Sequence, residues 1–263
     1  ITSTRADFGK IKSLLTHLYK SKLFDVHIFA TGMHMLPAYG YTYKEIQKCG
    51  FPNIFAYINH SETTNLEHIL VQTLVGFGHY VKIYQPDMIV VHGDRVEPLA
   101  GAIIGSLNNI LVSHIEGGEL SGTIDEHLRH STSKLSHLHF VANNEAKKRL
   151  TQLGEAANTV FVIGSPDIDI MSSSNLPSLA KMKSRYTIPF DTYGILLFHP
   201  TTTEQDDLPR QTDELIQAVR ESGLNYVVIY PNNDPGTHII QKTYEKELVR
   251  NNRFRVFPSM RFE

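Results

Sequence analysis

The chain has 263 residues, a formal net charge of −2 and one cysteine. That length supports one or two buried cores, and the charge gives no electrostatic reason to expect a nucleic-acid partner. Cys49 alone excludes an intrachain disulfide and fits a reducing compartment, with an inert buried thiol as its expected role. No apolar run approaches the length of a membrane span, and the opening ITSTRADFGK lacks the regions of a signal peptide, so a cytoplasmic protein without a membrane partner is expected.

Residues 1–2 read as the end of a strand. Ser3-Thr4-Arg5-Ala6-Asp7-Phe8-Gly9 then forms a strand-to-helix turn, and a helix runs to about residue 20 with Ile11, Leu14, Leu15 and Leu18 on one face. Such a turn presents backbone N–H groups and the positive end of a helix dipole. Arg5 there suits phosphate oxygens, or a pairing with a nearby carboxylate. Residues 26–30 form the next strand, followed by Thr31-Gly32-Met33-His34-Met35; His34 faces a cleft or is structural. Residues 42–48 read as a helix, 51–58 as a strand and 66–84 as a long helix.

The most informative stretch is residues 90–130. A buried strand over 88–91 ends in His92-Gly93-Asp94-Arg95, a helix covers 96–107, and a second strand over 110–115 ends in Glu116-Gly117-Gly118-Glu119. Residues 121–125 begin another helix, which runs to about residue 136. Consecutive parallel strands deliver their carboxyl ends to one edge of a sheet, where open α/β sheets bind ligands. Asp94, Glu116 and Asp125 are therefore expected to converge. Glu116 otherwise serves as a cap or ion-pair partner in its glycine loop, and Asp125 as a stabiliser of its helix N-terminus.

Strands over 137–142 and 160–163 and a helix over 144–153 follow. His137 and His139 alternate on one strand, but no zinc-type spacing accompanies them, so no metal is expected. Gly164-Ser165-Pro166-Asp167 ends a strand and starts a helix. The Ser-rich segment 171–189 is the candidate domain boundary. Beyond it come strands over 194–198, 226–230 and 254–257, with helices over 208–222 and 237–249. This alternation on both sides predicts two parallel-sheet α/β domains, over 1–175 and 190–263. Both ends read as cut, since residues 1–2 end a strand and residues 258–263 look like a helix just starting.

The set S-T-R-A-D-F-G, T-G-M-H-M, H-G-D-R, H-I-E-G-G-E-L-S-G-T-I-D, R-H-S-T-S-K-L-S-H, G-S-P-D, H-P-T-T-T and P-N-N-D-P-G resembles hydrolysing UDP-N-acetylglucosamine 2-epimerases of the sialic-acid-pathway branch. It is similar too to the epimerase domain of the bifunctional epimerase/kinase. The resemblance covers essentially the whole chain, and H-I-E-G-G-E-L-S-G-T-I-D is its most specific part. Non-hydrolysing relatives tend to carry H-V-E-A-G-L-R at residues 114–120. A Gly is common where Ser3 stands, and the family's downstream G-N-S-S-x-G-x-R-E segment is absent from this sequence.

The resemblance implies two Rossmann-like doubly wound domains in a glycosyltransferase-B-like architecture, the second truncated, with an active site between them. It implies conversion of UDP-GlcNAc and water to N-acetylmannosamine and UDP, through elimination to 2-acetamidoglucal and hydration. It assigns Asp94, Glu116 and Asp125 to catalysis and Arg5, Arg95, His199 and Asn232 to UDP. His34, His92 and His114 are supporting candidates; the last two orient the acids, donate protons or hydrogen-bond strand ends. It implies no cofactor and a homo-oligomer, dimer or tetramer. The rival readings are the same reaction on UDP-N,N′-diacetylbacillosamine, a UDP-sugar glycosyltransferase and a non-catalytic nucleotide-sugar-binding module.

Overall fold

The computed structural model describes every residue except 62–64, 175, 202–203, 233, 235 and 261–263. Short runs of β-branched and aromatic residues form the strands, and the helically spaced segments between them form the crossovers. In chain order the elements are α1 (Arg5–Lys20), β1 (His27–Ala30), α2 (Tyr43–Lys48), β2 (Asn53–Ala56), α3 (Leu66–Tyr84), β3 (Met88–His92) and α4 (Val96–Leu107). Next come β4 (Leu111–Ile115), α5 (Ile124–Lys134), β5 (Leu138–Val141), α6 (Asn144–Gln152), β6 (Val160–Val162), α7 (Asp167–Met171) and α8 (Leu179–Arg185). The last are β7 (Gly194–Leu197), α9 (Leu208–Glu221), β8 (Tyr226–Ile229), α10 (Thr237–Glu247) and β9 (Phe254–Phe257). They fall into two compact units, over residues 1–174 and 175–261.

In the first unit β1 pairs with β2, and β3, β4, β5 and β6 pair in that order, all parallel. The first two residues join these sheets. Thr2 bridges Ala30, with Thr2 N–H donating to Phe29 O at 2.9 Å and Thr31 N–H donating to Thr2 O at 3.0 Å. On the other side the Ile1 nitrogen donates to Val90 O at 3.1 Å. The continuous order is therefore β2, β1, residues 1–2, β3, β4, β5, β6. Numbered along the chain, this is the doubly wound order in which the first strand lies centrally beside the fourth. The chain turns in opposite directions from residues 1–2 and from β3, and that switch point is where such sheets place ligands.

A core of Phe29, Phe77, Tyr80, Val81, Ile89, Val91, Ala102 and Val112 packs α3 and α4 onto the centre of the sheet. Gly101 lets α4 approach β3 closely, since a Cβ there would stand 2.8 Å from Val91 Cγ1, which fixes the start of α4 over the strand ends. Burying a side chain such as Phe29 contributes about 1.5–3 kcal/mol.

In the second unit β7, β8 and β9 form a parallel sheet. Leu196, Val228 and Phe254 of its strands pack against Leu208, Ile216 and Val219 of α9 and Ile240 and Tyr244 of α10.

Two expectations need correction. Helix α1 begins at Arg5, earlier than the turn over residues 3–9 allowed, because Thr4 and Asp7 form a capping box that closes the first turn. Segment 171–189 includes α8, which Ser178 caps by accepting from Lys181 N–H. Cys49 is only half-buried, at the end of α2, and its thiol donates to Glu45 O at 3.3 Å. The helix start expected over 258–263 lies in part outside the described residues.

Candidate active site

The N-terminal turn is tied together by Asp7. Its carboxylate accepts from Ser3 N–H at 2.9 Å, Ser3 Oγ at 3.0 Å, Thr4 N–H at 3.0 Å and the Thr2 hydroxyl. Burial opposes ionisation, but His34, the Thr2 hydroxyl and the Ser3 N–H outweigh it and hold Asp7 below the usual carboxylate range. Arg5 is half-buried at the first position of α1.

His34 does not face a cleft. It is fully buried, because the turn after β1 folds it beneath Thr2 and Thr42. Its Nε2 lies 3.0 Å from Thr2 Oγ1 and its Nδ1 2.8 Å from Thr42 Oγ1. Burial lowers its pKa to about 4, so the ring is neutral at pH 7. With Thr2 donating to Asp7, the consistent tautomer carries its proton on Nε2 and accepts from Thr42.

The ends of β3 and β4 are set by register. His92 lies opposite Ile115, so Glu116 follows level with Gly93, with Asp94 one residue beyond. The Glu116 carboxylate lies 2.8 Å from Lys10 Nζ and 3.2 Å from His92 Nε2. The Ser165 hydroxyl lies 3.1 Å from Glu116 Oε1 and also reaches Asp167, its single proton serving one carboxylate at a time. Burial works against the Glu116 charge, yet His92 and Lys10 outweigh it and keep this carboxyl far below its ordinary value. Glu116 has φ +63, left-handed backbone that a side chain rarely adopts. Strained backbone of this kind clusters at functional sites.

Asp94, about one-third exposed, pairs with Arg129 of α5. Arg129 also donates to Glu119 O at 3.1 Å and Ser121 Oγ at 3.3 Å, tying the acidic loop to the end of β3. Beneath Asp94, His114 donates from Nε2 to Gly93 O at 2.8 Å and accepts at Nδ1 from Ser133 Oγ at 2.9 Å. Burial pushes its pKa down to about 3. His114 is thus a neutral strand-end hydrogen-bonder, not a proton donor at neutral pH.

Asp125 lies half-buried in the first turn of α5 and accepts from Thr123 Oγ1 at 3.1 Å. Arg95 stands at the residue before α4, its Nε 3.6 Å from the buried Glu97. In the second unit Asn232 N–H donates to His199 Nδ1 at 3.3 Å, so two residues assigned to UDP meet at the ends of β7 and β8. His139 is a core group facing Glu155 at 3.3 Å, and exposed His137 accepts from Val112 N–H at 3.0 Å. Among the described residues no cluster of three His, Cys, Asp or Glu side chains is arranged to hold a metal ion.

The sequence reading did not single out Asp7, Lys10, Glu97, Arg129 or Ser165. Asp7 had a local signal, the Thr4-to-Asp7 capping pattern. Lys10 and Arg129 had none, since their partners lie 106 and 35 residues away.

Parallel-sheet Rossmann-like units, with acids at the strand ends of the first, define an α/β fold of the glycosyltransferase-B-like kind. Residues 16–263 match the family model described as UDP-N-acetylglucosamine 2-epimerase. The UDP-N-acetylglucosamine 2-epimerase of Neisseria meningitidis serogroup B is 45% identical over 263 residues, covering 100% of this chain and 69% of that protein. The UDP-N,N′-diacetylbacillosamine 2-epimerase (hydrolyzing) of Legionella pneumophila is 36% identical over 253 residues, covering 94% of this chain and 66% of that one. The fold matches the solved UDP-GlcNAc 2-epimerase of Methanocaldococcus jannaschii in complex with UDP-GlcNAc and UDP, with a TM-score of 0.77, 20% identity and coverage of 99% and 73%. The chain belongs to the UDP-N-acetylglucosamine 2-epimerase family. It spans about two thirds of the length of these curated relatives.

Proposed function

We propose that the protein is a hydrolysing UDP-GlcNAc 2-epimerase, releasing N-acetylmannosamine and UDP for sialic acid or capsule synthesis. The observation that carries this is the pair of acids on adjacent strand ends at the switch point: Glu116, held ionised by His92 and Lys10, beside Asp94 on Arg129. The C2 proton of the sugar becomes removable as the C1–O bond to UDP breaks and positive charge develops at C1. A carboxylate then takes it, UDP leaves and 2-acetamidoglucal forms. Water adds at C1, and C2 is reprotonated on the opposite face. This path needs acid/base groups on both ring faces and donors on the diphosphate. Asp94, Glu116 and Asp125 are assigned the first task, and Arg5, Arg95, His199 and Asn232 the second. Elimination and hydration need no nicotinamide.

The hydrolysing reading is supported by H-I-E-G-G-E-L at residues 114–120, and by relatives named as the Legionella hydrolysing enzyme and an Escherichia coli polysialic acid biosynthesis protein, the latter 34% identical over 269 residues. The first of these favours a second reading, the same chemistry on UDP-N,N′-diacetylbacillosamine. Incubation of the intact protein with each nucleotide sugar in deuterium oxide tests both. Free N-acetylmannosamine carrying deuterium at C2, alongside UDP, is expected from UDP-GlcNAc. A UDP-linked product refutes the hydrolysing reading, and product without C2 deuterium refutes the elimination route.

A further inference from the structure

The second residue of α4 is Glu97, an acid with no part in the chemistry above. It is fully buried, and among the described residues neither carboxylate oxygen accepts a hydrogen bond at normal geometry. Its walls come from four places. From the β3–α4 connection, Arg95 Nε stands 3.6 Å from Oε2. From α1, the Asp7 carboxylate acts on it as a like charge, and from the segment after β2 the Asn59 amide favours its ionised form. From the turn after β1, Gly32 packs so closely that a Cβ there would stand 2.8 Å from Oε1, at a backbone φ of +63. Beside Arg95 lies His60, whose pKa burial and that arginine lower to about 4, so it is neutral and supplies no second cation.

Among the described residues, Arg95 is the cation that faces Glu97. Its side chain retains 19% exposure, so it reaches from the buried acid toward the carboxyl edge of the sheet. We propose that Glu97 is the counter-ion that holds Arg95 when no ligand is bound, and that it takes up a proton from solvent when Arg95 transfers to the diphosphate. This rests on the reading of Arg95 as a UDP-binding residue.

The charges dictate where the proton goes. A buried carboxylate that loses its cation keeps its desolvation penalty without compensation. Burial and Asp7 already push Glu97 upward, against the opposing effect of Arg95. Asp7 cannot take the proton as readily, because two backbone N–H groups and two hydroxyls hold its charge. Glu97 is thus a positioning residue acting through Arg95, and nucleotide affinity becomes linked to pH.

The test is calorimetric titration of UDP into the intact protein at pH 8, in buffers of different ionisation enthalpy. The terminal phosphate of UDP is already ionised there. Uptake of about one proton per UDP bound is expected in the wild type, with that uptake lost in Glu97→Gln, which keeps the side-chain volume. The wild-type Kd should rise between pH 7 and pH 9, by at most about tenfold per unit, while that of the variant stays flat. An infrared difference spectrum of the wild type, which needs no variant, should gain a protonated-carboxyl band on UDP addition. UDP binding with no proton uptake, with uptake unchanged in the variant, or without that band overturns the proposal. Absence of UDP binding by the wild type instead overturns the nucleotide reading on which it rests, so the two failures are distinct.

Discussion

Lys10 Nζ lies 2.8 Å from Glu116 Oε2, although 106 residues separate them in the chain. Helix α1 starts at the end of the central strand segment, and its second turn passes over the end of β4. Ammonium and carboxylate are each only partly exposed, at 28% and 15%, so water screens the pair less than it would at the surface. With His92 it makes Glu116 a carboxylate that stays charged.

Removing the ammonium as Lys10→Met should raise the Glu116 pKa toward its ordinary value. A base works only when deprotonated, so the acid limb of kcat/KM should move to higher pH. Glu116→Gln should lose about 10²–10⁴-fold in rate across the whole profile. Initial-rate profiles carried down from pH 9 to about pH 3 check both, since the Glu116 limb lies below the ordinary carboxylate range, and an unshifted acid limb in Lys10→Met would show that Lys10 does not tune Glu116.

The glycines of the acidic loop should differ in tolerance. Gly118 has φ +79, and a Cβ there would stand 2.6 Å from Ala146 O. Gly118→Ala therefore combines about 1–2 kcal/mol of left-handed strain with about 1–3 kcal/mol of overpacking. Gly122, at φ +67 with open space around it, carries only the strain. Urea unfolding should show a clearly larger loss for Gly118→Ala, and Gly118→Ala should also lower turnover by shifting Glu116.

Acid should destabilise the first unit through its buried histidines. The pKa values of His34 and His114 lie at about 4 and about 3 in the folded protein, below about 6.5 in the unfolded chain. Between those values the unfolded state binds more protons, so stability is full above about pH 6.5 and falls as pH drops toward 4. The slope should approach about 1.4 kcal/mol per pH unit for each site. Urea midpoints at pH 7, 5.5 and 4.5 measure it, and a conservative His114→Gln variant should flatten the dependence.

In the second unit, the bond from Asn232 N–H to His199 Nδ1 fixes the orientation of the imidazole. Since His199 is exposed, His199→Ala should weaken UDP binding without changing the unfolding midpoint. Calorimetry with UDP and a thermal melt on the same sample decide this, and unchanged affinity would remove His199 from the nucleotide site.

The sequence by itself determined which residues form strands and helices and which chemistry stands at the strand ends. Helices α3 and α4 and strand β9 could be read to the residue, because apolar periodicity and short β-branched runs are local signals. Asp94 and Glu116 could be found because a charged residue ending a buried run marks the carboxyl edge of a sheet. Only the tertiary structure decided partnership: which cation meets which acid, that His34 and His114 are neutral buried hydrogen-bonders, and that residues 1–2 complete the central sheet. Those outcomes depend on strand order, register and burial. An ion pair such as Lys10 with Glu116 leaves no local trace in the chain, since its strength comes from low local dielectric and short distance, which exist only once the sheet has formed.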